Sequence, residues 1–277
     1  MGYIDAHVHV WTDDAATYPL AAGYDVQQMK PPRFSDADLL AHAEPCGVER
    51  IVLIQMSFYG FDNSYMLHTI ARRPETFRGV AVVDHTRADL ADEMQRLFSG
   101  GVRGFRVYQL AGSPAQPLDS PEYARVCGLA GEMGMAVCPL IDPQLLSGVG
   151  RAAQHFPGTT FVIDHLARIG AGRPVDPAGV DALCALAEHP NCCVKVSAFY
   201  ALGDARPPHD DLAPLIRRVW QAFGADRLMW ATDCPYQVQG ETYEDSLSLV
   251  RDRLPFLTES DRVAILEGTA ARVFFSR

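Results

Sequence analysis

Eight short, apolar, β-branched runs separated by amphipathic stretches constrain this chain more than any other feature. The runs are Tyr3–Val10, Arg50–Met56, Gly79–Val83, Val102–Tyr108, Ala136–Ile141, Thr160–Asp164, Cys193–Ser197 and Leu228–Thr232. Strands that are apolar at nearly every position are covered on both faces, as in a parallel sheet flanked by helices. Between the runs, Ser35, Ser120-Pro121 and Asp176-Pro177 open helices. Leu212, Leu215, Ile216, Val219 and Phe223 fall on one helical face ahead of Gly224, a natural stop. Eight such units in 277 residues predict a (β/α)8 TIM barrel forming one domain over 1–277. No Gly-x-Gly-x-x-Gly follows the first run, which argues against a dinucleotide-binding open sheet. The long connection from Trp11 to Phe34 is expected to lie over the barrel mouth.

Charge narrows the partners. The formal net charge is −10, and Lys30 and Lys195 are the only lysines. A chain without a basic stripe is poorly suited to nucleic acid. No uninterrupted apolar run is long enough for a membrane span, and the first residues do not read as a signal peptide. Seven cysteines without a Cys-x-x-Cys pair fit small core residues in a reducing compartment. A cytoplasmic enzyme acting on a small molecule is the expectation, with a homodimer a common arrangement for barrels.

A barrel of this kind places chemistry at the C-terminal ends of its strands. Polar residues gather at those ends: His7 and His9 on the first, Arg106 and Tyr108 on the fourth, His165 on the sixth, Asp233 after the eighth. Two residues apart on a strand means one face, so His7 and His9 can share a ligand. With His165 and Asp233 they offer nitrogen and carboxylate donors suited to zinc. For His-x-His alone, two hydrogen-bonded polar residues at a strand end would be the plainer reading; the four together favour a site. Arg106 and Arg168 suit a substrate carboxylate, although a loop arginine such as Arg168 often makes only a surface ion pair. Gln55, Ser57 and Tyr108 are further substrate-contact candidates. Trp11, Phe58, Tyr59 and Tyr236 could wall the pocket. Asp5 and Asp164 are expected to orient their neighbours, while His42, His68, His155, His189 and His209 read as structural or solvated.

Taken in order, Ile4-Asp5-Ala6-His7-Val8-His9, Val102–Arg106, Asp164-His165-Leu166-Ala167-Arg168, Val194–Ser197 and Thr232-Asp233-Cys234-Pro235 resemble the amidohydrolase superfamily, in its lactonase-type amidohydrolase 2 branch. The closing Ile265–Phe274 is similar to the family's end, with Thr269 near a position where Asn is usual. The resemblance spans nearly the whole chain and implies a distorted barrel hydrolase with His7, His9, His165 and Asp233 forming the site. Binuclear members carry a Lys on strand four and a His on strand five; here Arg106 and Pro139-Leu140-Ile141-Asp142 stand there, so a binuclear centre is not expected. Pyrone-dicarboxylate and sugar lactonases share the pattern, some working without metal and others with zinc, so one divalent metal or none both stay open. The preferred expectation is lactone hydrolysis with Asp233 as general base. A zinc-dependent decarboxylase or amide hydrolase is the nearer alternative, weakened because strand seven ends in Ser197 rather than a histidine. A binding barrel without catalysis is the remote one. Arg106 lacks a second arginine close behind it, which leans toward a sugar-type lactone over a strongly anionic dicarboxylate.

Overall fold

The structure, a computed structural model, describes residues 2–108 (Tyr108 in its backbone only), 117–172 and 174–276. Eight parallel strands lie in the order of the sequence: β1 Tyr3–Val8, β2 Val48–Ile54, β3 Phe77–Ala81, β4 Val102–Tyr108, β5 Ala136–Leu140, β6 Thr160–Ile163, β7 Cys192–Val196 and β8 Leu228–Trp230. Each is followed by a helix: α1 Asp36–Ala43, α2 Ser64–Arg72, α3 Leu90–Ser99, α4 Pro121–Glu132, α5 Leu146–His155, α6 Pro177–Ala185, α7 Ala213–Phe223 and α8 Tyr243–Asp252. A final helix, α9 Glu259–Val263, continues as helical turns to Phe275. The expected (β/α)8 barrel is therefore present. Seven of the predicted strands run one or two residues beyond the observed ends; after β6, β7 and β8 the extra residues Asp164, Ser197 and Thr232 already belong to the turns that carry the site.

The ring closes just beyond the last strand. Val8 bridges Cys234 in parallel register; the His9 N–H donates to the Cys234 carbonyl at 2.8 Å and the Asp233 N–H to the His7 carbonyl at 2.9 Å. Closure thus sets Asp233 against the two histidines of β1. Inside the barrel, Ile4, Ala6, Val52, Ile54, Val80, Val162 and Met229 pack with Ala270 and Phe274 of the C-terminal turns. The tail plugs the end opposite the site, where Phe274 lies beside the starts of strands, near Arg103 and Thr160. The second cluster of apolar side chains lies between strands and helices.

The register of β1 on β2 slips between Asp5 and Val8. Asp5 and His7 consequently meet different surroundings although they are two residues apart. His7 reaches the site, whereas the buried Asp5 carboxylate collects four donors that tie β1 to β8 and α8. Its Oδ1 accepts from the His7 N–H at 3.0 Å and the Thr232 N–H at 3.1 Å; its Oδ2 accepts from the Thr232 and Tyr243 hydroxyls, both at 2.5 Å. Burial pushes the Asp5 carboxyl up to about 6 against the pull of those donors. Asp5→Ala strands buried donors at roughly 1–3 kcal/mol each. A loss of at least about 3 kcal/mol in urea unfolding is therefore expected.

Candidate active site

Three turns at the C-terminal ends of β6, β7 and β8 leave ordinary backbone geometry. His165, Leu166, Ala167 and Arg168 all take left-handed conformations, with φ of 52°, 51°, 54° and 57°. Ala198 (φ 56°) and Asp233 (φ 69°) do the same. Left-handed backbone costs a non-glycine residue roughly 1–2 kcal/mol, and such strain gathers where side chains must be aimed. Burial of Leu166 and Ala167 pins the β6 turn. His165 is thereby directed to the centre, and Arg168 is left at the rim.

The four side chains singled out in the sequence come together. His7 Nε2 lies 3.3 Å from His9 Nε2, and Asp233 Oδ1 lies 3.1 Å from His9 Nε2, 3.5 Å from His7 Nε2 and 3.9 Å from His165 Nε2. His9 Nδ1 sits 2.8 Å from the Ile54 carbonyl. A carbonyl only accepts, so Nδ1 carries a proton and Nε2 is the ring atom that faces Asp233. Zinc bonded at roughly 2.0–2.2 Å in a tetrahedron needs ligand atoms about 3.3–3.6 Å apart. The edges of the His7, His9 and Asp233 triangle come close to that, so these residues fit one divalent cation.

Beneath this triangle lies a residue that the sequence reading passed over. Lys195 on β7 is fully buried, its Nζ 2.9 Å from Asp164 Oδ1 and 3.2 Å from His7 Nδ1. Asp164 Oδ1 is also 3.3 Å from His7 Nδ1. Burial first, then the Lys195 and His165 charges, hold His7 well below the ordinary imidazole range, with Asp164 opposing. Burial likewise lowers His165, against the pull of Asp233 and Asp164. Its Nδ1 is 2.9 Å from the Ser197 hydroxyl, which can serve either tautomer. Burial would raise the Asp233 carboxyl, but the charge of His165, the His9 hydrogen bond and His7 outweigh it and hold it below the ordinary carboxylate range. The downward directions at His7, His165 and Asp233 are the ones that both metal binding and a general base require.

Above the cluster opens a cavity of about 350 Å³, lined by His9, Met56, Ser57, Arg106, Leu140, His165, Arg168, Tyr200, Asp233 and Tyr236, among others. Arg106 lines it while donating to the Gln55 carbonyl at 3.3 Å. Arg168 lines it too, half-exposed, and also forms the surface ion pair expected of a loop arginine, 3.4 Å from Asp142. Gln55 is not among the lining residues: its buried side chain donates to the Asp62 carbonyl at 2.5 Å. The Tyr108 side chain lies outside the described residues. Tyr200, which no spacing in the sequence marks, donates its hydroxyl to Asp233 Oδ2 at 2.7 Å. His209 is buried as a structural residue, its Nε2 2.8 Å from Glu241.

The model of the family described as Amidohydrolase (Amidohydro_2) matches residues 4–275. The chain belongs to the amidohydrolase family. Similar family proteins include the 2-pyrone-4,6-dicarboxylate hydrolase of Comamonas testosteroni, 29% identical over 249 residues that cover 85% of this chain and 77% of that protein. The L-fucono-1,5-lactonase of Burkholderia ambifaria is 28% identical over 243 residues, 84% of this chain and 80% of that protein. The D-galactarolactone isomerase of Agrobacterium fabrum is 23% identical over 261 residues, 93% and 85% respectively. Among solved structures, one described as a 2-pyrone-4,6-dicarboxylic acid hydrolase from Pseudomonas putida superposes with a TM-score of 0.82 at 26% identity, covering 99% of this chain and 97% of that one. This amidohydrolase is thus an enzyme whose relatives act on lactones.

Proposed function

We propose that this amidohydrolase hydrolyses a small lactone bearing a carboxylate or several hydroxyls, of the sugar-acid type. The observation that carries the reading is the Asp233 carboxylate held against three imidazoles at the floor of a cavity lined by two arginines. Two of the similar proteins bear lactone-hydrolase names, which supports it. Asp233 takes the proton of the attacking water, and a proton later goes to the leaving ring oxygen. His165, whose Nδ1 is 2.9 Å from the Ser197 hydroxyl, can present an Nε2–H to the negative charge that grows as the carbonyl carbon becomes tetrahedral. His7, His9 and Asp233, with His165 beside them, would hold one divalent cation, zinc by the donor set, and such an ion would polarise the carbonyl or acidify water. The ester link suits this site, because an alkoxide leaves more readily than an amine.

Arg106 and Arg168 are assigned to a substrate carboxylate. A charge-assisted hydrogen bond contributes about 1.5–3 kcal/mol, roughly 10- to 100-fold in binding. Arg106→Gln should therefore raise KM by about that factor for carboxylate-bearing lactones and leave neutral lactones nearly unchanged. Proton release followed with an indicator dye over sugar-acid, dicarboxylate and neutral lactones tests both points. No turnover across the panel, with zinc added, would contradict the proposal.

A further inference from the structure

We propose that Tyr200 is a catalytic residue, the group that passes the proton to the leaving oxygen; the inference rests on the lactone reading above. Tyr200 sits in the turn after β7, two residues beyond the left-handed Ala198, and lines the cavity. The Asp233 carboxylate is divided between two neighbourhoods. Oδ1 faces the three imidazoles, while Oδ2 accepts the Tyr200 hydroxyl at 2.7 Å. A carboxylate oxygen has two lone pairs, so Oδ2 can hold Tyr200 and still receive a proton from water. The connections after β7 and β8, which carry Tyr200 and Asp233, are joined further along by His209 and Glu241, 2.8 Å apart.

The sequence of bonds balances. Water oxygen bonds to the lactone carbonyl carbon, and one water proton moves to Asp233. The carbonyl-carbon-to-ring-oxygen bond then breaks, and its electron pair stays on the ring oxygen. Tyr200 gives its hydroxyl proton to that oxygen and takes the proton held on Asp233. The net change is one water added across one ester bond, with both residues restored.

Leaving-group dependence tests the role, because a merely structural tyrosine would not show it. Two probes serve: δ-gluconolactone, whose ring oxygen leaves as an aliphatic alkoxide, and dihydrocoumarin, whose ring oxygen leaves as a phenoxide. Tyr200→Phe should lower kcat on the first by about 10²–10³-fold, the range of a lost proton donor. On the second, which needs little help, kcat should change by no more than about threefold. Tyr200→His, which can carry a proton, should recover part of the lost rate, and thermal melting followed by circular dichroism checks that both variants fold. Equal losses on the two probes in a folded variant, or an unchanged rate on δ-gluconolactone, would overturn the assignment. Inactivity of the unaltered enzyme on both probes and across the lactone panel with zinc added would overturn the lactone reading and the proton carrier with it, a result distinct from a defect confined to the variant.

Discussion

Asp233→Asn is expected to lower lactone turnover by about 10²–10⁴-fold, the contribution of a general base, while leaving the fold intact. Asparagine keeps the size of the side chain and tolerates left-handed backbone better than almost any residue besides glycine, so φ of 69° adds no cost. The backbone N–H to the His7 carbonyl, which closes the barrel, is untouched. The Tyr200 hydroxyl retains an oxygen to which it can donate. What is lost is the negative charge beside three imidazoles, and with it both the base and the anionic donor for a cation. Turnover assays paired with urea unfolding separate the two effects: the rate should collapse while stability shifts little. A large fall in stability with proportionate loss of rate would mean that Asp233 is chiefly a structural tie.

The largest effect on stability is expected at Lys195. Its ammonium and the Asp164 carboxylate are both fully buried, 2.9 Å apart. Removing one member of a buried ion pair leaves the other charge uncompensated, at a cost of about 3–5 kcal/mol. Against a total stability of about 5–15 kcal/mol for a folded domain, that is a large fraction. Lys195→Met should therefore lower the urea midpoint sharply. Pairing it with Asp164→Leu should restore much of the loss, because two apolar side chains can replace a buried pair with little penalty. The double variant would nonetheless be a poor enzyme, since His7 loses the carboxylate at its Nδ1. A double variant as unstable as the single one would show that the pair acts through packing instead of charge.

Much of the architecture is legible in the residues themselves. Strands buried on both faces write their apolar character at every position, which is why the eight runs and their parallel order stand out. The same logic places His7, His9, His165 and Asp233 at strand ends, and the ring brings them to one point. Features that depend on departures from regularity are not legible. The slip in β1 separates Asp5 from His7, although strict alternation would put them on one face. The left-handed turn from His165 to Arg168 has no glycine to announce it. Lys195 carried a usable signal: a lysine within the apolar run from Cys192 to Val196, in a chain with only one other, has to find a buried partner. Tyr200 lies in a connection where no period applies, and only the packed turns reveal its hydroxyl on Asp233. Gln55 illustrates the reverse, a strand-end polar residue whose side chain is engaged by the local loop.

The most direct test of the central claim follows the oxygen of water. With the lactone that the panel identifies, turnover in heavy-oxygen water should place one heavy oxygen in the carboxylate of the opened acid, read by mass spectrometry. Asp233→Asn should show almost none in the same time. A product that has the mass of the starting lactone and carries no label would mean that the site rearranges its substrate without adding water, and the hydrolytic account would be wrong.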